Sequence, residues 1–147
     1  MIVQEINLFK GLDFGVVKQI AEICIDGAFI KGKVLFRINE KADSLYILRK
    51  GSVNLVIDES IDMIYKLSQP GEVIGWSSMV ENGIYTASAV CDVDSELFRI
   101  DKEKLNRIFN KHPDFGLAVL RRIGNVFASR LTNAYQEIQV RSREKVA

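Results

Sequence analysis

The chain has 147 residues, 48% of them hydrophobic and 27% charged, the make-up of a single domain, 1–147, that buries about 70% of its unfolded surface. Its 20 basic and 19 acidic residues leave a net charge of +1, which excludes the global positive field that draws a whole domain onto nucleic acid. The longest uncharged stretch, 82–91, is far shorter than the roughly 18 apolar residues of a membrane helix, and residues 1–12 lack a secretory pattern, so a cytoplasmic protein with no membrane contact is expected.

Over residues 13–25 the apolar positions Val16, Val17, Ile20, Ile23 and Cys24 recur at helical spacing. Asp13 stands where its carboxylate can accept the first free backbone N–H groups, so a short amphipathic helix is predicted. After Asp26-Gly27 the period changes. Brief β-type runs follow at Phe29, at Val34-Leu35-Phe36, at Leu45-Tyr46-Ile47-Leu48, at Val53, Leu55 and Ile57, and at Met63, Ile64, Tyr65 and Leu67. Stretches at Lys31-Gly32-Lys33, 39–43, Lys50-Gly51-Ser52 and 58–62 separate them, most rich in turn formers. Two more strands are predicted at 85–91 and 96–100, after an insert at 71–83 that is not β-like. Strands so short and evenly spaced predict an all-β sandwich, barrel or jelly roll.

Beyond Asp101 the period is helical again, first over 102–110 and then, after Pro113, in a run to about residue 140. Within that run Leu117, Leu120, Gly124, Phe127, Leu131, Ala134 and Ile138 repeat at alternating spacings of three and four, the seam of two helices packed side by side. A second strip, Val119, Ile123 and Val126, lies beside it, so one helix can serve its own domain and a second copy. A homodimer through Leu120, Gly124, Phe127 and Leu131 is expected. In the alternative the helix packs wholly on its own domain, with Gly124 as a point of close approach to the strands.

His112 is the only histidine, so neither a multi-histidine metal site nor a Ser/His/Asp triad can be built on this chain. No catalytic or metal-binding residue is assigned, no cofactor is required, and the chain reads as a non-enzyme. Cys24 and Cys91 lack CxxC spacing and fit buried thiols. Arg141, Arg143 and Lys145 near the end of the chain read as a solvated terminus.

One segment carries candidate chemistry. In Gly71-Glu72-Val73-Ile74-Gly75-Trp76-Ser77-Ser78-Met79, a Pro-Gly turn leads into an extended piece, then about one helical turn opens after Gly75 with serines at its start. Such a start points free backbone N–H groups outward, as a cradle for an anion or phosphate does.

Leu8-Phe9-Lys10-Gly11-Leu12, the strand Lys31-Gly32-Lys33-Val34-Leu35-Phe36-Arg37 and the hairpin running from Asn39 through Lys50-Gly51-Ser52-Val53 resemble the cyclic-nucleotide-binding domain family. That family supplies the sensor module of catabolite-activator and FNR-type regulators, protein kinase A regulatory subunits and cyclic-nucleotide-gated channels. Asn39 stands where the family usually has a Gly, and Asn tolerates left-handed backbone. The resemblance covers nearly the whole chain. It implies a mainly β fold with flanking helices: one helix and an antiparallel β-roll (double-stranded jelly roll) to about residue 101, then C-terminal helices over about 102–140.

By that resemblance, residues 71–87 are the phosphate-binding cassette, where the family holds the cyclic phosphate with backbone N–H groups, an Arg and a Ser or Thr, and the ribose with a Glu. Here Trp76 stands in place of the Glu and Tyr85 in place of the Arg. Hydrogen bonds to charged groups contribute about 1.5–3 kcal/mol each, so losing two weakens a cyclic nucleotide by roughly two to four orders of magnitude. Gly71, Gly75, Trp76, Ser77, Ser78, Tyr85, Thr86 and Ala87 remain as candidate ligand-binding residues. The Trp76 indole either stacks on a ligand or fills the pocket, and Tyr85 either offers its hydroxyl or occupies a strand position. Arg37, Arg49, Arg99 and Arg130 are the cations that could replace the missing one, and Thr132, Asn133, Tyr135 and Gln136 match the family's purine-contacting helix region.

The expected function is a stand-alone regulatory sensor with a small-molecule ligand, a cyclic nucleotide such as cAMP or cGMP bound weakly or another molecule, signalling through its last helix to a protein partner. The DNA-binding regulators of the family carry a helix-turn-helix domain after that helix, and with the chain ending at Ala147 direct DNA binding is not expected. The alternative is a ligand-free dimerisation scaffold whose pocket Trp76 and Tyr85 close.

Overall fold

The computed structural model describes residues 2–58, 60, 63–79, 81 and 83–146. After a short 3-10 turn at Val3–Glu5 the elements are α1 (Phe14–Ile23), β1 (Ile25–Phe29), β2 (Val34–Phe36), β3 (Ser44–Lys50), β4 (Val53–Asp58) and β5 (Met63–Leu67). Then come β6 (Val73–Ile74), a 3-10 turn (Trp76–Met79), β7 (Ser88–Cys91), β8 (Ser95–Asp101), α2 (Lys102–Lys111) and α3 (Pro113–Val146). The expected turn at 58–62 lies partly outside the described residues.

Two four-stranded antiparallel sheets, in the orders β1-β8-β3-β6 and β2-β7-β4-β5, form the β-roll. The uninterrupted apolar run in β3 has a physical reason, because this strand is covered on both faces. Leu45 and Ile47 face the cluster made with α1, α2 and α3, whereas Tyr46 and Leu48 face the roll interior with Phe36, Leu67, Ile74, Tyr85 and Leu97. The sheet partner β8 divides likewise, with Phe98 and Ile100 toward the helices and Leu97 toward the interior.

The helices start where capping chemistry puts them. Asp13 accepts the Val16 N–H at 3.1 Å and Asp101 the Lys104 N–H at 3.0 Å, each satisfying one otherwise unpaired donor. Pro113 opens α3, where no backbone N–H is needed. α3 is anchored by Phe115, Val119 and Ile123. Beyond Ile123 none of its described side chains is buried, and the helix runs to Val146, past the expected end near 140. Gly124 meets nothing within 4 Å of a notional Cβ, so it is not a point of close approach to the roll.

The strand predicted from Tyr85 begins at Ser88 instead. Tyr85 pairs with the loop before β3: its N–H donates to the Glu40 carbonyl at 2.9 Å, and its carbonyl accepts from the Asn39 N–H at 2.8 Å. Asn39 itself sits at φ 72°, the left-handed conformation that the usual Gly would adopt freely.

Candidate functional site

The cassette starts at the edge of the roll. Gly71, at φ +92°, donates its N–H to the Leu48 carbonyl at 2.7 Å, so this donor is spent on structure. β6 then pairs with β3 through Tyr46↔Ile74 and Ile47↔Val73 and delivers Gly75 at φ +87°. A Cβ on Gly75 would lie 3.0 Å from the Ser44 carbonyl oxygen and 3.4 Å from ring atoms of both Phe36 and Tyr85. Position 75 therefore requires glycine for its backbone angle and for its closeness to Ser44.

The two replacements differ in what they do. Tyr85 is 4% exposed and lies flat on Phe36, with centroids 3.7 Å apart and planes 12° from parallel. Its hydroxyl donates to the Ser44 carbonyl at 2.8 Å and accepts from the Ser44 N–H at 3.2 Å. Burial raises its pKa to about 12, against the pull of the Ser44 hydrogen bond. The group is thus a neutral phenol already engaged with backbone.

Trp76, 6% exposed, reaches the other way. Its ring packs at 4.9 Å on Phe127 of α3, and the Arg130 guanidinium lies 5.6 Å from its centroid. The Trp76 Nε1–H is buried and has no acceptor among the described residues. Arg130 is also 5.8 Å from the Tyr65 ring and donates to the Val73 carbonyl at 3.1 Å. Burial lowers its pKa. Of the four candidate arginines it is the one held against the cassette; Arg49 is tied to Asp26 at 2.7 Å and covers Phe98.

The smaller residues divide as well. Ser78 is fully buried and donates its hydroxyl to the Gly75 carbonyl at 2.8 Å, closing the 3-10 turn. Ser77 is half-buried, Thr86 exposed and Ala87 half-buried; the hydroxyls of Ser77 and Thr86 have no partner among the described residues. On α3, Thr132 donates to the Ala128 carbonyl at 2.9 Å, and Asn133, Tyr135 and Gln136 are exposed. The roles of Phe36 and Ser44 had no signal in the sequence, since each lies about forty or more positions from Tyr85 and is joined to it only by the fold.

No group of His, Cys, Asp and Glu among the described residues could hold a metal ion. No described helix is long and apolar enough to cross a membrane.

Residues 28–112, which include every strand after β1 and the whole cassette, match the family model of the cyclic nucleotide-binding domain. The chain belongs to the cyclic nucleotide-binding domain family. Its fold is similar to that of a putative cyclic nucleotide-binding protein from Geobacter metallireducens (26% identity, TM-score 0.75, 85% of this chain and 92% of that one). It is also similar to the Thermus thermophilus catabolite activator protein (26% identity, TM-score 0.70, 92% of this chain and 62% of that one). Among curated relatives, the transcriptional regulatory protein btr of Bordetella pertussis is 24% identical over 123 residues, 80% of this chain and 49% of that protein. The chain thus spans about half the length of that relative. Within the matched residues, aromatic rings stand at the two positions, 76 and 85, where the resemblance places charge.

Proposed function

We propose that this cyclic nucleotide-binding domain is a sensor module that takes a small ligand at its 71–87 cassette and passes the occupied state to α3. One observation carries the reading: the largest side chain of the cassette, Trp76, rests on Phe127 and beneath Arg130, both on that helix. A ligand that displaces the indole alters the packing of α3, and its differential affinity for the two arrangements sets the shift between them. The unpaired Trp76 Nε1–H supports a ligand with an acceptor nearby, because an unsatisfied buried donor costs about 1–3 kcal/mol.

Gly71 and Gly75 shape the cassette, Trp76 and Tyr85 wall it, Ala87 leaves room, and Ser77, Ser78 and Thr86 supply hydroxyl dipoles. Such a cradle binds cAMP or cGMP weakly. The exposed stripe of Leu120, Phe127 and Leu131 beside Gly124 joins a second copy of the chain, and a protein partner reads the α3 surface. Phe127 belongs to both contacts, being 45% exposed on the stripe while touching Trp76. No catalytic role is proposed for any residue.

Thermal unfolding with millimolar cAMP or cGMP tests the reading, since a ligand at about 100 times its Kd adds about 2.7 kcal/mol. A rise in Tm is expected. No rise with either favours a second reading, a ligand-free dimerisation scaffold, for which the flat stacking of Tyr85 on Phe36 argues.

A further inference from the structure

Away from the Phe36–Tyr85 stack, a groove of about 430 Å³ runs between the N-terminal segment, the 69–73 connection and α3. Its volume falls in the range of small-molecule sites and exceeds what a bare phosphate fills. Two arginines of α3 line it. Arg122 donates through one terminal nitrogen to the carbonyls of Asn7 (2.9 Å) and Lys10 (2.7 Å), and Arg130 through one to the Val73 carbonyl. The remaining guanidinium nitrogens of both have no hydrogen-bond partner, and neither arginine has a carboxylate oxygen within 4 Å, among the described residues. The desolvated Arg130 has the Glu72 charge near it, beyond 4 Å, and the Tyr65 and Trp76 rings against it, so the donors left for a ligand oxyanion are chiefly those of Arg122, which meet it with charge-assisted hydrogen bonds.

The same groove holds an acceptor. Glu72 uses one carboxylate oxygen to accept the Gln69 N–H at 2.9 Å, and its other oxygen is unpaired among the described residues. The two arginines are eight positions apart on the helix, about 12 Å along its axis, so one phosphate meets one of them and leaves the rest of the groove for the body of a larger molecule.

We propose that this groove binds a small phosphate ester bearing hydroxyl groups, of the size of a sugar phosphate, with the phosphate on an α3 arginine and a hydroxyl on Glu72. The groove adjoins the start of the cassette through Gly71, Glu72 and Val73, shares Arg130 with the Trp76 contact, and includes none of Gly75, Trp76, Ser77, Ser78, Tyr85, Thr86 and Ala87. It also stays open in a dimer. With 3.6 residues per turn, Arg122 and Asn125 project from roughly the opposite side of α3 to Leu120, Gly124, Phe127 and Leu131.

The test is a titration of the ¹⁵N-labelled full chain with ribose 5-phosphate, inorganic phosphate and ribose, each alone, followed by NMR. Amide shifts are expected at Asn7, Leu8, Gln69 and Asn125, which line the groove outside the cassette, with ribose 5-phosphate binding tightest, phosphate next and ribose weakest. Asn125 is exposed on the helix, so its charge can be changed without touching the core. N125D is expected to weaken ribose 5-phosphate roughly tenfold and N125K to strengthen it by a similar factor, as a unit charge a few ångströms away does in a partly screened groove. E72Q, which can still accept the Gln69 N–H, is expected to narrow the gap between ribose 5-phosphate and phosphate.

Equal affinities for N125D and N125K, ribose binding as well as its phosphate, or no shift at these four amides with tens of millimolar ribose 5-phosphate would each overturn the proposal. Shifts at Ser77 and Thr86 alone would place the ligand in the cassette and overturn it too. The cassette reading stands or falls separately on the cyclic nucleotides.

Discussion

Tyr85 lies flat on Phe36 at 3.7 Å and clasps both backbone groups of Ser44 with one hydroxyl. The stack sits directly against Gly75, so ring packing holds the wall of the cassette at the position where the resemblance places a phosphate-binding Arg. Y85F keeps the stack and strands the buried Ser44 N–H and carbonyl. A loss of about 1–3 kcal/mol in unfolding free energy is expected by urea titration, the cost of unsatisfied buried polar groups.

Alkaline stability follows from the same burial. Burial pushes the Tyr85 phenol up to about 12 from an ordinary 10.0, and the Cys24 thiol up to about 12 from 9.0. Both groups keep their protons longer when folded, so the unfolded chain loses protons first. Their contribution is complete below about pH 9 and is lost as pH rises toward 12. Unfolding free energies measured between pH 8 and 11 should fall with pH, and Y85F should show a shallower fall above pH 10.

Gly75 admits no side chain without cost. G75A places a Cβ at positive φ, a penalty of roughly 1–2 kcal/mol, and puts it 3.0 Å from the Ser44 oxygen. Thermal unfolding should show a Tm lower by several degrees. An unchanged Tm would mean that the cassette turn relaxes freely.

The stripe on α3 predicts assembly. Leu131 is 52% exposed within one chain, and L131E places a charge in the proposed seam while leaving the roll untouched. Sedimentation equilibrium at micromolar concentration should find a dimer for the wild type and a monomer for L131E, with similar far-UV circular dichroism.

How far the sequence was readable depends on how local each cause is. The Asp13 cap, the Gly turns and the apolar run Leu45-Tyr46-Ile47-Leu48 act through near neighbours, and the elements they predict are present. Tyr85 was expected to begin a strand because aromatic residues favour strands. Its backbone is claimed instead by residues 39 and 40, a pairing that strand propensity does not register. Gly124 carried two readings from one spacing, and only the position of the helix over the roll shows that nothing of this chain approaches it. Arg130 was one of four equal candidates. Its placement between Tyr65 and Trp76 depends on how α3 crosses the roll, which no window of sequence encodes.

Trp76 is the only tryptophan of the chain, so its fluorescence reports the contact between cassette and helix directly. The decisive measurement is its emission during a cAMP titration into the millimolar range, read beside the Tm of the same samples. A shift to longer wavelength with the same midpoint as the thermal stabilisation is the predicted result, since the ligand moves the indole off Phe127 into a wetter setting. A rise in Tm with unchanged emission, or no response in either, would contradict the link between cassette and α3.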